Sequence, residues 1–88
     1  MRQDPAFFGD ADLELVYIAK KLKDALRLED LLTASGIDYA VETDTYSGGV
    51  IFRSQRVGAF FYVPPGELGR TQRLLEQHGF QIYVEEPN

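Results

Sequence analysis

An α+β domain, with two helices laid on one face of an antiparallel sheet, is predicted by three observations in these 88 residues. The hydrophobic period switches from about two to about 3.6 and back, twice along the chain. A glycine, Gly36 and then Gly79, stands where each helical pattern gives way to a strand pattern. The second half also echoes the first at a constant spacing of 43 residues. Arg27 aligns with Arg70, Leu31-Leu32 with Leu74-Leu75, Gly36 with Gly79 and Ile37 with Phe80; Tyr39, Val41 and Glu42 align with Ile82, Val84 and Glu85. Upstream, Tyr17-Ile18 meets Phe60-Phe61. Two such βαβ units with right-handed crossovers interleave into a ferredoxin-like βαββαβ sandwich, a four-stranded antiparallel sheet under two helices.

The elements follow in order. Residues 1–11, with Asp4, Pro5 and Gly9 around Phe7-Phe8, are expected to form an irregular arm whose two aromatics dock to escape water. Residues 12–86 form the single domain. Leu13 to Ala19 is rich in β-branched and aromatic residues and predicts the first strand. From Leu22 to Ser35 the apolar residues Leu22, Ala25, Leu28 and Leu32, flanked by Leu26 and Leu31, recur at helical spacing; Lys20, Lys23, Asp24, Arg27, Glu29 and Asp30 take the opposite side. Gly36 suits a left-handed residue just past the helix end, and no capping side chain marks its start.

Ile37 to Glu42 alternates and predicts a strand with one buried face. Ser47-Gly48-Gly49 reads as a turn. Val50 to Phe52, a polar break at Arg53–Arg56, and Val57 to Val63 fit either one bulged strand or a short extra hairpin followed by a strand. Pro64-Pro65-Gly66-Glu67 is a helix start, with proline tolerated and glutamate favoured there. Leu68, Thr71, Leu74, Leu75 and His78 are expected on the inward face of that helix, and Phe80 to Glu85 is the last strand. The strands ending in Glu42 and Glu85 would be the sheet edges, where Asp38, Glu42 and Asp44 on one, and Gln81 and Glu85 on the other, oppose edge-to-edge pairing.

Composition narrows function more than it assigns it. There is no cysteine, so disulfide frameworks and thiolate metal sites are excluded. Apolar runs are far shorter than the roughly 20 residues of a spanning helix, and the N-terminal residues lack the apolar core of a secretory signal, so a soluble, cytoplasmic protein is expected. Fourteen acidic against nine basic side chains give a net charge of −5, a field that opposes nucleic acids and anionic membranes.

The chemistry-bearing residues are few. His78, the single histidine, falls in the last turn of a helix, where a partly positive imidazole is favoured without any catalytic partner. The acidic pairs Asp10/Asp12, Glu42/Asp44 and Glu85/Glu86 lack a calcium-loop pattern. Ser47-Gly48-Gly49 lacks the lysine and the strand-to-helix setting of a phosphate loop. No catalytic, cofactor or metal site is therefore assigned. The segments Val16-Tyr17-Ile18-Ala19 and Arg56-Val57-Gly58-Ala59-Phe60-Phe61 loosely match the two base-stacking strands of RNA-recognition motifs. Gly58 is displaced from that signature, and Lys20, Lys21, Lys23, Arg53 and Arg56 are the only bases for a patch. The uncovered sheet face, assigned Tyr17 and Tyr83, fits a subunit interface instead.

The run Val16-Tyr17-Ile18-Ala19, Ala25, Leu31-Leu32, Ser35-Gly36-Ile37 and Tyr39, with Phe61-Tyr62-Val63-Pro64 and Arg73-Leu74-Leu75-Glu76, resembles small prokaryotic signal-transducing proteins of the PII-like (GlnB-like) grouping, over about residues 13–85. The resemblance implies a non-enzymatic regulator that forms a homo-oligomer and signals through the loop between its second and third strands. Here that loop is 43–56, with Asp44, Tyr46, Arg53 and Arg56 as candidate contacts for a protein partner. The residue signature of the PII nucleotide site is missing, so no cofactor is implied. A small-molecule sensor with an effector at a subunit cleft is the second reading, and RNA binding the third.

Overall fold

A computed structural model describes residues 1–9, 12–47 and 55–80, with side chains described at 1–9, 12–43 and 58–80. The described strands are β1 (Glu14–Ala19), β2 (Ala40–Ser47) and β3 (Gln55–Val63), and the helices are α1 (Leu22–Ala34) and α2 (Leu68–Gln77). They make an α+β unit whose sheet is three-stranded and antiparallel, in the order β1-β3-β2. The expected four-stranded sheet is thus replaced, among the described residues, by a three-stranded one. The predicted fourth strand falls, after Phe80, outside them. Because β1 and β2 run parallel with β3 inserted antiparallel between them, the first three strands have the split βαβ arrangement.

β3 holds the middle because its run Ala59-Phe60-Phe61-Tyr62-Val63 is apolar on both pleat faces, the pattern of a strand covered from two sides. Phe61 and Val63 are fully buried in one cluster with Val16, Ala19, Leu28, Leu32, Ile37, Tyr39 and Leu75. Both helices contribute to that cluster, so both lie on the same face of the sheet. A register shift between Leu15 and Tyr17 inserts Val16 as an extra residue in β1. The shift sends both Val16 and Tyr17 to the helix side.

The repeat has a geometric counterpart at the helix ends. Gly36 (φ +73°) and Gly79 (φ +78°) both adopt the left-handed conformation that only glycine takes without strain. After α1, Gly36 N–H donates to the Thr33 carbonyl and Ile37 N–H to Leu32. After α2, Gly79 N–H donates to Glu76 and Phe80 N–H to Leu75. Each is a Schellman motif that turns the next apolar residue, Ile37 or Phe80, into the core.

The arginines of the repeat cross-brace the two ends. Arg27 pairs with Asp24 (3.9 Å) and lies 4.8 Å over the Phe80 ring; Arg70 pairs with Glu67 (2.9 Å) and donates to the Ser35 carbonyl at the end of α1. Each arginine therefore rests on the opposite helix's terminus.

Other details depart from the sequence pattern. Leu22 (74% exposed) and Leu26 (51%) face solvent, so the buried stripe of α1 is only Ala25, Leu28 and Leu32, with Leu31 at its flank. His78 caps α2 and is exposed rather than inward. Pro65–Glu67 is a 3₁₀ turn ahead of α2. The arm is ordered by backbone contacts: Tyr39 N–H donates to the Met1 carbonyl (3.1 Å) and Gln3 N–H to the Tyr39 carbonyl (2.7 Å), a parallel bridge on the outer side of the segment entering β2. Asp4 then caps a 3₁₀ turn, Pro5–Phe8, through Ala6 N–H. Phe7 remains 58% exposed, its ring edge-on to Phe8 at 5.2 Å, so the expected docking of both aromatics is not found.

Thr71 is fully buried, and its hydroxyl has no hydrogen-bond partner among the described residues. It stands 43 residues after the fully buried Leu28, at the register where the first half is aliphatic. Thr71→Val keeps the shape and removes an unpaired buried hydroxyl, so it should stabilise the fold by about 1 kcal/mol. The check is the shift in Tm, several degrees upward for a domain of this size; a lower Tm would mean that the hydroxyl has a partner in solution.

Candidate interaction surface

The sheet register defines a projecting ribbon. β1 pairs with β3 only from Ala59 to Val63, whereas β2 pairs with β3 along its whole length, out to Ser47 opposite Gln55. Among the described strands, Gln55 to Gly58 is therefore bonded on one side only. Four cross-strand pairs, from Asp44↔Gly58 to Ser47↔Gln55, extend about 13 Å past the end of β1, at roughly 3.3 Å per residue.

Of the segment read from sequence as a 43–56 loop, the described residues 43–47 and 55–56 are paired strand. Asp44 is opposite Gly58, and Tyr46 is directly opposite Arg56. By the period of two, positions 44, 46, 56 and 58 share the sheet face of Glu42 and Phe60. The structure brings three of the four candidate residues onto one face of one ribbon. Arg53 lies outside the described residues, as do Val50 to Phe52, so the choice between a bulged strand and an extra hairpin there also falls outside them.

Tyr17 occupies the opposite face from the one expected. Its strand partner is the buried Phe61, and its ring meets Phe80 edge-on at 5.4 Å beneath α1. Burial and the Asp24 carboxylate push its hydroxyl pKa up, with Arg27 opposing. Tyr83 lies outside the described residues. The face away from the helices is instead built by Ile18 opposite Phe60, Leu15 and Ala40 flanking Tyr62, and Glu42 beside Phe60. Leu15, Ile18, Phe60 and Tyr62 are half-buried and make an apolar stripe across β1 and β3. The signal was present in sequence: β1 and β3 are apolar at both odd and even positions, which puts apolar residues on both faces.

The described residues line shallow clefts at the arm and at the helix ends. One, of ≈ 460 Å³, is lined by Arg2, Gln3, Asp4, Pro5 and Val41, where the arm leaves the β2 edge. Another, of ≈ 360 Å³, is lined by Ser35, Arg70, Arg73, Leu74 and Gln77, at the end of α1. No group of three or more histidine, aspartate or glutamate side chains among the described residues could hold a metal ion. No helix among them is long and apolar enough to cross a membrane.

Tyr39 ties the arm to this surface. It is buried and stacks on Phe61 (5.8 Å), and its hydroxyl donates to Glu29 Oε1 (3.1 Å), which also receives Arg2 of the arm at 3.7 Å. Glu29, assigned by its spacing to the solvent side, is therefore half-buried and a partner of the core. Burial, aided by the Glu29 charge, pushes the Tyr39 pKa from about 10 up to about 12. The folded state thus holds this proton more tightly than the unfolded state. The resulting stability is fully present below pH 10 and is lost as pH rises toward 12. Alkaline melts of the native chain should fall more steeply over that window than those of Tyr39→Phe, and parallel curves would contradict the assignment.

No family model, curated protein or solved structure matches the chain.

Proposed function

We propose that this domain is a non-enzymatic regulatory module of the PII-like kind, a cytoplasmic homo-oligomer that presents the β2–β3 ribbon to a protein partner. In this reading the residues after Phe80 complete a four-stranded ferredoxin-like sheet beside β1. The observation that carries it is the ribbon itself, whose paired strands run past the last residue bonded to β1. A two-stranded extension adds little to the core, and it sits where signalling proteins of this topology place their contact loop. Self-association is supported by the apolar stripe of Leu15, Ile18, Phe60 and Tyr62, since a half-covered apolar face is commonly buried by another subunit.

A second reading, an effector-binding sensor, is favoured by the cleft beside α1. It places the Arg73 guanidinium beside Gln77 and next to Arg70, which is itself held by Glu67 and Ser35, a set that could take a small anion through Arg73. RNA binding is less well supported, because Ile18 and Leu15 stand on β1 where base-stacking aromatics would be needed.

Light scattering at several concentrations tests the assembly. The native chain should scatter as a multiple of its 10.0 kDa mass, and Phe60→Glu should reduce it to the monomer. Replacing residues 45–57 by Asn-Gly keeps the Asp44↔Gly58 pair as the turn's flank and should leave the fold intact while abolishing capture of the partner. A native monomer at every concentration, together with unchanged capture by the shortened ribbon, would overturn the proposal.

A further inference from the structure

We propose that the outer edge of β2, from Val41 to Ser47, is a strand-addition site for an extended, basic segment of a partner protein. The inference rests on the reading of the ribbon as the partner-facing element and specifies how it binds.

The direction of the backbone groups follows from the arm. Both the N–H and the C=O of Tyr39 point away from β3, since the N–H donates to the Met1 carbonyl and the C=O accepts from the Gln3 N–H. In a strand these groups alternate sides, so Val41, Thr43, Thr45 and Ser47 also present theirs outward, while Ala40, Glu42, Asp44 and Tyr46 bond to β3. Among the described residues, no strand pairs with those outward groups beyond Tyr39. An edge of seven residues matches the length of strand that peptide-binding sheets accept.

The chain already adds a strand to the start of this edge. The arm pairs there in parallel, then stops for identifiable reasons: Asp4 caps a 3₁₀ turn and Pro5 has no N–H to donate. Where the arm turns away, Arg2, Gln3, Asp4, Pro5 and Val41 leave the ≈ 460 Å³ cleft, room for the terminal side chain of an incoming strand.

Charge selects the occupant. β2 reads Ala-Val-Glu-Thr-Asp-Thr-Tyr-Ser, with two acids and no base. Glu42 and Asp4 are exposed beside the edge, whereas the nearby Asp38 is paired with the Met1 ammonium (3.7 Å) and Arg2 with Glu29. An antiparallel pairing of two copies centred on Thr43 would set Glu42 and Asp44 across from one another, which is destabilising. A strand carrying lysine or arginine at alternate positions instead gains cross-strand ion pairs and electrostatic steering by a chain of net charge −5.

The test follows backbone amide exchange by NMR in the full chain. The probe is a capped eight-residue peptide of alternating lysine and threonine, compared with its glutamate–threonine counterpart. At about ten times its dissociation constant the lysine peptide should slow exchange at Val41, Thr43 and Thr45 by about tenfold, and less at higher salt. The glutamate peptide, and a lysine peptide N-methylated at alternate residues, should produce no slowing. Thr43→Pro, at an edge position where proline is tolerated, should abolish the effect while β3 stays protected. No slowing with the lysine peptide, or equal slowing with the glutamate peptide, would overturn the proposal. Slowing that grows with protein concentration alone would make a second copy the occupant and overturn it as well. If shortening the ribbon abolishes partner capture but Thr43→Pro does not, the edge mode fails and the ribbon reading stands; if neither affects capture, the ribbon reading itself fails.

Discussion

The structure depends on β3 being bonded along both edges at once. A strand in that position must satisfy backbone donors and acceptors on two sides and have apolar side chains on both faces. Ala59 to Tyr62 meets both demands: β1 lies on one edge and β2 on the other, Phe61 enters the helix-side core together with Val63 just beyond, and Phe60 and Tyr62 support the opposite apolar stripe. Once β3 is central, β2 becomes an edge. Because β1 ends at Ala19, opposite Ala59, the rest of the β2–β3 pair can only continue as a ribbon. The features assigned to function are thus consequences of strand lengths around one central strand.

The two helices fit this sheet by the same device used twice. Each ends on a left-handed glycine, each delivers the following apolar residue to the core, and each carries an arginine that reaches the other helix's end. The stabilisation from either arginine is modest, since both are half-exposed or more. Their value is geometric: they relate the two helix termini directly and so set how the two halves meet over the sheet. Thr71 marks where the halves differ, a buried hydroxyl at the register of Leu28.

Much of this was legible in the chain, for reasons that differ by element. The helix ends could be read because a left-handed residue all but requires glycine, and the spacing of Gly36 and Gly79 exposed the repeat. The inward stripe of α1 was read too wide: its six apolar residues cover more than half of the helix circumference, and only the tertiary structure decides that Leu22 and Leu26 stay outside. Tyr17 was placed on the wrong face because alternation alone does not reveal the extra residue at Val16. The extension of β2 to Ser47 was missed because Thr43 to Ser47 is polar on both faces, as suits a ribbon with little core to cover. The arm's bridge to Tyr39 rests on backbone groups, and these leave no pattern in side chains.

The central claim is that, among the described strands, β3 is bonded on both sides from Ala59 to Tyr62 and on one side only from Gln55 to Gly58, so that the ribbon is an appendage of a core it does not stabilise. Native-state amide exchange along β3 tests this most directly. The account predicts a step: amides from Ala59 to Tyr62 open only with the whole domain, while those from Gln55 to Val57 open far more readily and independently of denaturant-driven unfolding. Uniform protection along β3, with Gln55 to Val57 as slow as Phe61, would make the ribbon part of the core and contradict the account.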